Sequence, residues 1–157
     1  MKFLVVKNIN EDKNFKPLLG GLLLFMLFYL FVNIFLKHYS IGILPLDLAN
    51  NFLGNEQTYL DPMELHVFLE FWHMDIFFMM MILLTLSAVY MRINKYSKLT
   101  LLTTHINLLS AFIYLSSLAM SYFFISWFVY LSFVSFVIWH LLSVYMTSIS
   151  LYKLYFA

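Results

Sequence analysis

His66, Glu70 and His73 recur at intervals of four and three in the stretch Glu64-Leu65-His66-Val67-Phe68-Leu69-Glu70-Phe71-Trp72-His73-Met74-Asp75. On a helix those intervals put all three on one face. Glu70-x-x-His73 also sets a carboxylate and an imidazole on adjacent turns, as carboxylate-bridged metal sites of helical bundles do. Imidazole with carboxylate suits copper, zinc or iron. His66, Glu70, His73 and Asp75 are therefore candidate ligands of one transition metal ion, with Glu64 and His38 nearby. A di-iron centre would want more buried carboxylates than Glu70 and Asp75 supply.

The helix that carries these residues runs straight into the apolar stretch Ile76 to Met91. Ionisable groups on a helix that enters a bilayer are costly, so their default reading is functional. The whole chain supports a bilayer setting. Of its 157 residues, 63% are hydrophobic and 11% charged, and the mean hydropathy is +0.86. A soluble domain is about 45–50% apolar and about 25% charged. The expected fold is all-α, an integral membrane four-helix up-down bundle forming a single membrane domain over 1–157. The spans are read at about 17–37, 64–91, 99–124 and 127–151, with an outer loop over 38–63. The first apolar run is too long for a signal-peptide core and has no small-x-small site after it, so it is read as a retained span. Pro17 suits a first helical turn, and Gly20 and Gly21 offer close helix contact.

Basic residues give the orientation. Lys2, Lys7, Lys13 and Lys16, then Arg92, Lys95 and Lys98, then Lys153 fall on one side if there are four spans. The long loop carries Asp47, Glu56 and Asp61 against Lys37, and its Ile41–Leu48 part is apolar enough to lie on the membrane surface. The positive-inside rule then puts both termini in the cytoplasm and the long loop outside, as for a bacterial inner-membrane protein. Trp127, Tyr90, Tyr96, Tyr152 and Tyr155 fit interfacial belts.

Depth decides which imidazoles can meet. His73 lies about 14 Å below the outer end of its span and His140 about 20 Å below the outer end of the last one. These two spans run in the same direction, so His73 and His140 are candidate axial ligands of a haem b between them. His105 lies nearer the inner side, in a polar patch with Thr103, Thr104 and Asn107, and is the reserve ligand. Phe71, Phe77, Phe78, Trp139 and Met79 to Met81 are candidate cage residues. The expected activity is electron transfer with quinol or a partner cytochrome, Glu70 being placed to take a proton at a haem edge. Two alternatives stand beside it. One is the non-haem metal face at His66, Glu70 and His73. The other is a structural subunit of a larger membrane complex or oligomer, in which lone histidines only hydrogen-bond neighbouring helices.

Other chemistries are excluded. With no cysteine there are no disulfides, no thiolate metal sites and no cysteine-attached haem. A net charge of +1 gives no basic footprint for nucleic acid. No nucleophile stands beside a base, and no glycine-rich phosphate loop is present. Neither repeats nor broken helices of a transporter kind are visible.

The loop Gly54-Asn55-Glu56 followed by Leu69-Glu70-Phe71-Trp72-His73-Met74-Asp75-Ile76-Phe77 resembles a family of short, uncharacterised bacterial four-span inner-membrane proteins. In them a Gly-Asn-Glu loop precedes a Glu-x-x-His-x-His helix start. The resemblance implies that Glu70 and His73 belong to one site. It carries over no reaction. Asp75 stands where those proteins often have a second histidine.

Overall fold

Four apolar runs longer than a bilayer core become four long helices, and Pro45 opens a short one between the first two. The computed structural model describes residues 15–94, 97–124 and 127–156. The N-terminal arm with Lys2, Lys7 and Lys13, and Lys95, Tyr96, Ile125 and Ser126 of the two turns, lie outside the described residues. The elements are α1 (Phe15–Ser40), α2 (Pro45–Leu53), α3 (Leu65–Ile93), α4 (Lys98–Phe123) and α5 (Phe128–Phe156). The four long helices have 26 or 29 residues each. At 1.5 Å per residue they measure about 40 Å, enough to cross a bilayer's hydrocarbon core of about 30 Å. The fold is thus an all-α membrane helical bundle.

What packs the bundle is a repeat of 3.5 residues. On α4, Thr104, Asn107, Ala111, Tyr114, Leu118 and Ser121 follow one another at three and four, and all are buried. On α5, Ser132, Phe136, Trp139, Ser143, Met146 and Ser150 do the same. Such a repeat keeps one seam facing its partner over many turns. The small residues in both seams let the backbones approach, which drives association where lipid is as apolar as leucine. α4 and α5 are the most extensively packed pair, and α5 touches every other helix. Outward faces carry large apolar side chains such as Phe25, Phe31, Phe112 and Leu141, as a lipid-facing surface requires.

The arrangement is not a square. α3 packs across the core against both α4 and α5, whereas α1 packs chiefly on α5 and scarcely meets α3. Gly20 supports the α1–α5 contact, because a Cβ there would collide with the Tyr155 hydroxyl. Gly21, expected to share that role, faces open space.

The stretch 38–63 differs from the expectation of a loop. Its middle is α2, with Leu48 and Phe52 buried. Ile41 and Leu48, expected at the membrane surface, are each 3% exposed and belong to the core. Phe52 packs edge-on against Phe68 of α3 and Tyr122 of α4, with centroids 5.6 and 5.4 Å apart. Those two rings stack at 4.1 Å. This aromatic layer closes the α2 end of the bundle. Beyond α2 the chain folds back on itself: Asn55 donates to the Leu60 carbonyl at 2.8 Å and Leu60 returns a bond of 3.0 Å. Gly54 enters this loop at φ +79°, where a Cβ would sit 2.9 Å from the Leu60 oxygen. The Gly54-Asn55 pair therefore has a backbone role.

Candidate functional site: an ion pair beside a cleft

The face expected to bind metal is the outward face of α3. His66, Glu70 and His73 are all exposed. His66 pairs with Glu64, at 3.1 Å, and both side chains are 74% exposed. Asp75 does not join them. Nine residues beyond His66, at about 100° per residue, it stands on the opposite side of the helix, and it is buried. Among the described residues no three His, Asp or Glu side chains converge as metal ligands.

The histidines expected to share a haem are separated by the same geometry. His73 faces outward while His140 is 4% exposed inside α5. The His140 ring is flanked by Phe136 and Trp139, at centroid distances of 4.1 and 3.9 Å. Its Nδ1 faces the Phe136 carbonyl at 3.3 Å, and Nε2 has no hydrogen-bond partner among the described residues. His105 is exposed, with Nδ1 against its own helix's Leu101 carbonyl at 2.7 Å. The expected cage does not converge either. Met79 and Trp139 are buried, while Phe77, Phe78, Met80 and Met81 are exposed. His38 is exposed beside Tyr39, as an end-of-span residue.

The bundle instead gathers a different set of polar groups. On α1, Leu23, Met26, Leu30, Asn33 and Lys37 follow one another at three and four and form the inward seam. On α3, Phe68, Asp75, Met79, Ile82 and Leu86 occupy the inward face. Lys37 and Asp75 are thus carried inside by the phase of their helices. Lys37 Nζ donates to Asp75 Oδ2, and the two residues are 6% and 8% exposed. Tyr114 of α4 donates its hydroxyl to the same carboxylate oxygen at 3.3 Å. The Lys37 ammonium also lies 5.9 Å from the centre of the Tyr114 ring. Asp75 lies ten residues into α3, about 15 Å along it.

Where the backbones of α1 and α3 stay apart, a cleft of about 330 Å³ opens between them beside the ion pair. Tyr29, Asn33 and Lys37 of α1 face Phe71, Asp75 and Phe78 of α3 across it. Asn33 Nδ2 donates to the Tyr29 hydroxyl at 3.2 Å, and its Oδ1 is buried with no partner among the described residues. A second cavity of about 20 Å³ lies on the other side of Lys37, under the α1–α2 connection. That is space for about one water. The cleft has an apolar wall and a charge-balanced pair. It can hold a molecule that is largely apolar with a polar end.

Sequence reasoning had placed Lys37 at the start of the loop and Asp75 at the edge of a metal face. Asn33, Tyr29 and Tyr114 were missed altogether. One signal could have found the pair: opposite charges in two apolar helices, each in phase with its helix's seam.

A family model described as a transmembrane helical domain matches residues 42–157. No curated protein and no solved structure matches the chain. The matched stretch spans α2 to α5 and includes Asp75 and Tyr114, whereas Lys37 and Asn33 precede it. The match takes in most of the chain, and four helices long and apolar enough to cross a bilayer agree with it; the protein belongs to this transmembrane helical domain family.

Proposed function

We propose that this integral membrane protein binds a membrane-borne amphiphile that enters sideways between α1 and α3, its polar head meeting Lys37 and Asp75. The observation that carries the reading is a buried ion pair beside a cleft of about 330 Å³. A buried ion pair is a poor way to gain stability, because desolvating two charges offsets most of their attraction. Intramembrane ionisable residues accordingly mark binding sites and pathways more often than packing. The cleft's volume falls within the range of about 300–1,000 Å³ typical of small-molecule sites. Phe71, Phe78 and Met74 would take the apolar body.

The test is what the protein carries. The full chain is purified in mild detergent beside Lys37→Met/Asp75→Leu, which keeps the volumes and removes both charges. Extraction and mass spectrometry should find an amphiphile in stoichiometric amount with the parent and depleted in the variant. The same lipids in the same amounts on both would overturn the reading.

A second reading is an electron-transfer subunit with haem b on His140, exchanging electrons with quinol or a partner cytochrome. It is favoured by one observation, the buried His140 Nε2, which lies between two aromatic rings with no partner among the described residues. It rests on His140 alone, since His73 and His105 face outward. Its test is a reduced-minus-oxidised visible spectrum of protein made with haem supplied. A b-type band lost in His140→Ala would support it, and a parent without a band would end it.

A further inference from the structure

We infer that two copies of the chain pair along the outward face of α3, and that Glu70 and His73 of both copies hold one divalent transition-metal ion between them. This site stands apart from the α1–α3 cleft. The first observation is where the polar groups sit. His66, Glu70 and His73 lie on the exposed side of α3, and the same line continues through Phe77 and Leu84, both exposed. At 1.5 Å per residue, Glu70 and His73 lie about 8 and 12 Å from the start of the helix. A 29-residue helix centred on a hydrocarbon core of about 30 Å overhangs it by about 7 Å at each end. Both side chains are therefore just inside the edge of the core, on the face turned toward lipid. Ionisable groups in a span almost always face protein or a watery cavity instead. An ion can reach them from the aqueous side, past His66 and Glu64, whose side chains are both 74% exposed.

The second observation is the number of ligands. Glu70 and His73 are three residues apart, so they can hold one ion between them. Among the described residues no third His, Asp or Glu joins them. Zinc takes four ligands, and nitrogen and oxygen donors suit it. A second copy supplies the missing two. Copies inserted the same way in a membrane pair about an axis along its normal, and that symmetry puts equal residues at equal depth. Two carboxylates and two imidazoles then surround the axis.

Charge selects the ion and the partner together. Ligating imidazoles are neutral, and ligating carboxylates carry one negative charge each. Two Glu70 side chains at one level repel each other when no cation is present. A divalent ion balances both and leaves a neutral centre, which the edge of a bilayer tolerates far better than a bare charge. Without the ion the face stays open. Deeper in the membrane, Phe77, Met80, Met81 and Leu84 are exposed and supply the apolar part of the contact. Methionine adapts readily to such a surface.

The experiment measures protein mass by light scattering on the full chain in mild detergent, with a chelator, with magnesium and with zinc in turn. Elemental analysis gives the zinc content. The expected mass is that of one chain with chelator or with magnesium, which wants six oxygen ligands. With zinc the mass should double, at one zinc for two chains. Glu70→Gln and His73→Ala should each stay at the mass of one chain with zinc, and a single symmetric peak with chelator checks that each variant is folded. A doubled mass with chelator, or a doubling by zinc that survives in both variants, would overturn the shared site. One zinc on every chain, or no zinc on the parent, would overturn it too.

Discussion

Lys37 and Asp75 are 38 positions apart in the chain and meet in the interior of the bundle, the ammonium donating to the carboxylate. Their contact joins α1 to α3, whose backbones stay apart and whose side chains also meet at Tyr29 and Phe78. The energetics of the protein at this point therefore rest on a pair in which each member makes the other tolerable.

Removing one member should cost far more than removing both. Asp75→Asn or Lys37→Met alone should lower the unfolding free energy by about 3–5 kcal/mol, because a buried charge loses its partner. Lys37→Met/Asp75→Leu should recover most of that loss. Unfolding titrations in mixed detergent micelles measure all three against the parent. Losses that simply add in the double variant would show the pair to be uncoupled.

The α4–α5 seam makes a second prediction. Asn107 donates to Ser143 Oγ at 3.1 Å between those helices, and neither residue is exposed. Asn107→Ala should cost about 0.6–2 kcal/mol, the worth of one interhelical hydrogen bond. Ser143→Leu should cost at least as much, about 1–3 kcal/mol, because a large side chain enters a seam built for small ones. The same titrations would register a Ser143→Leu protein as stable as the parent, and that result would remove the close approach argued for these helices.

Gly54 and Gly21 should behave oppositely. Gly54→Ala places a side chain at φ +79° against the Leu60 carbonyl. It should destabilise the protein by about 1–3 kcal/mol and speed proteolysis within 54–62. Gly21→Ala meets nothing within 4 Å and should be neutral or slightly stabilising, since alanine is the better helix former. Melting curves and limited proteolysis of both variants decide it.

The histidines make a fourth contrast. His73→Ala and Glu70→Gln, on an exposed face, should change stability by less than about 0.5 kcal/mol. His140→Ala opens a hole between Phe136 and Trp139 and should cost about 2 kcal/mol or more. A larger loss for His73→Ala than for His140→Ala would mean that the outward face of α3 is covered in the purified protein.

The spans were legible because apolar runs of that length have one common solution in a bilayer. The periodic face of His66, Glu70 and His73 was legible too, but not its direction. In a soluble helix hydrophobicity separates inside from outside. In a membrane both sides are apolar, so polar residues grouped on one face do not say where it points. On α3 the direction is set by the seam through Phe68, Asp75, Met79 and Leu86, which carries Asp75 inward and turns His73 out. Short α2 was hidden by the polar Asn50, Asn51 and Asp47, though Pro45 at its start and Leu48 and Phe52 four apart were its signal. The α1–α3 cleft depends on which helices pair. The small residues of α5 decide that by drawing α1, α3 and α4 onto one helix.

The separation of Lys37 from Asp75 also bears on how the protein is made. A chain emerges from the ribosome N-terminus first, so α1 is complete before any of α3 exists. For that interval Lys37 has no carboxylate to meet, and a lone lysine at the middle of a span is expensive. Its place three residues before the end of α1 answers this, because a long side chain there can reach the water edge. Lys37 begins as an anchor at the membrane surface and becomes a buried partner only when α3 arrives. Forming the pair then withdraws that charge from water.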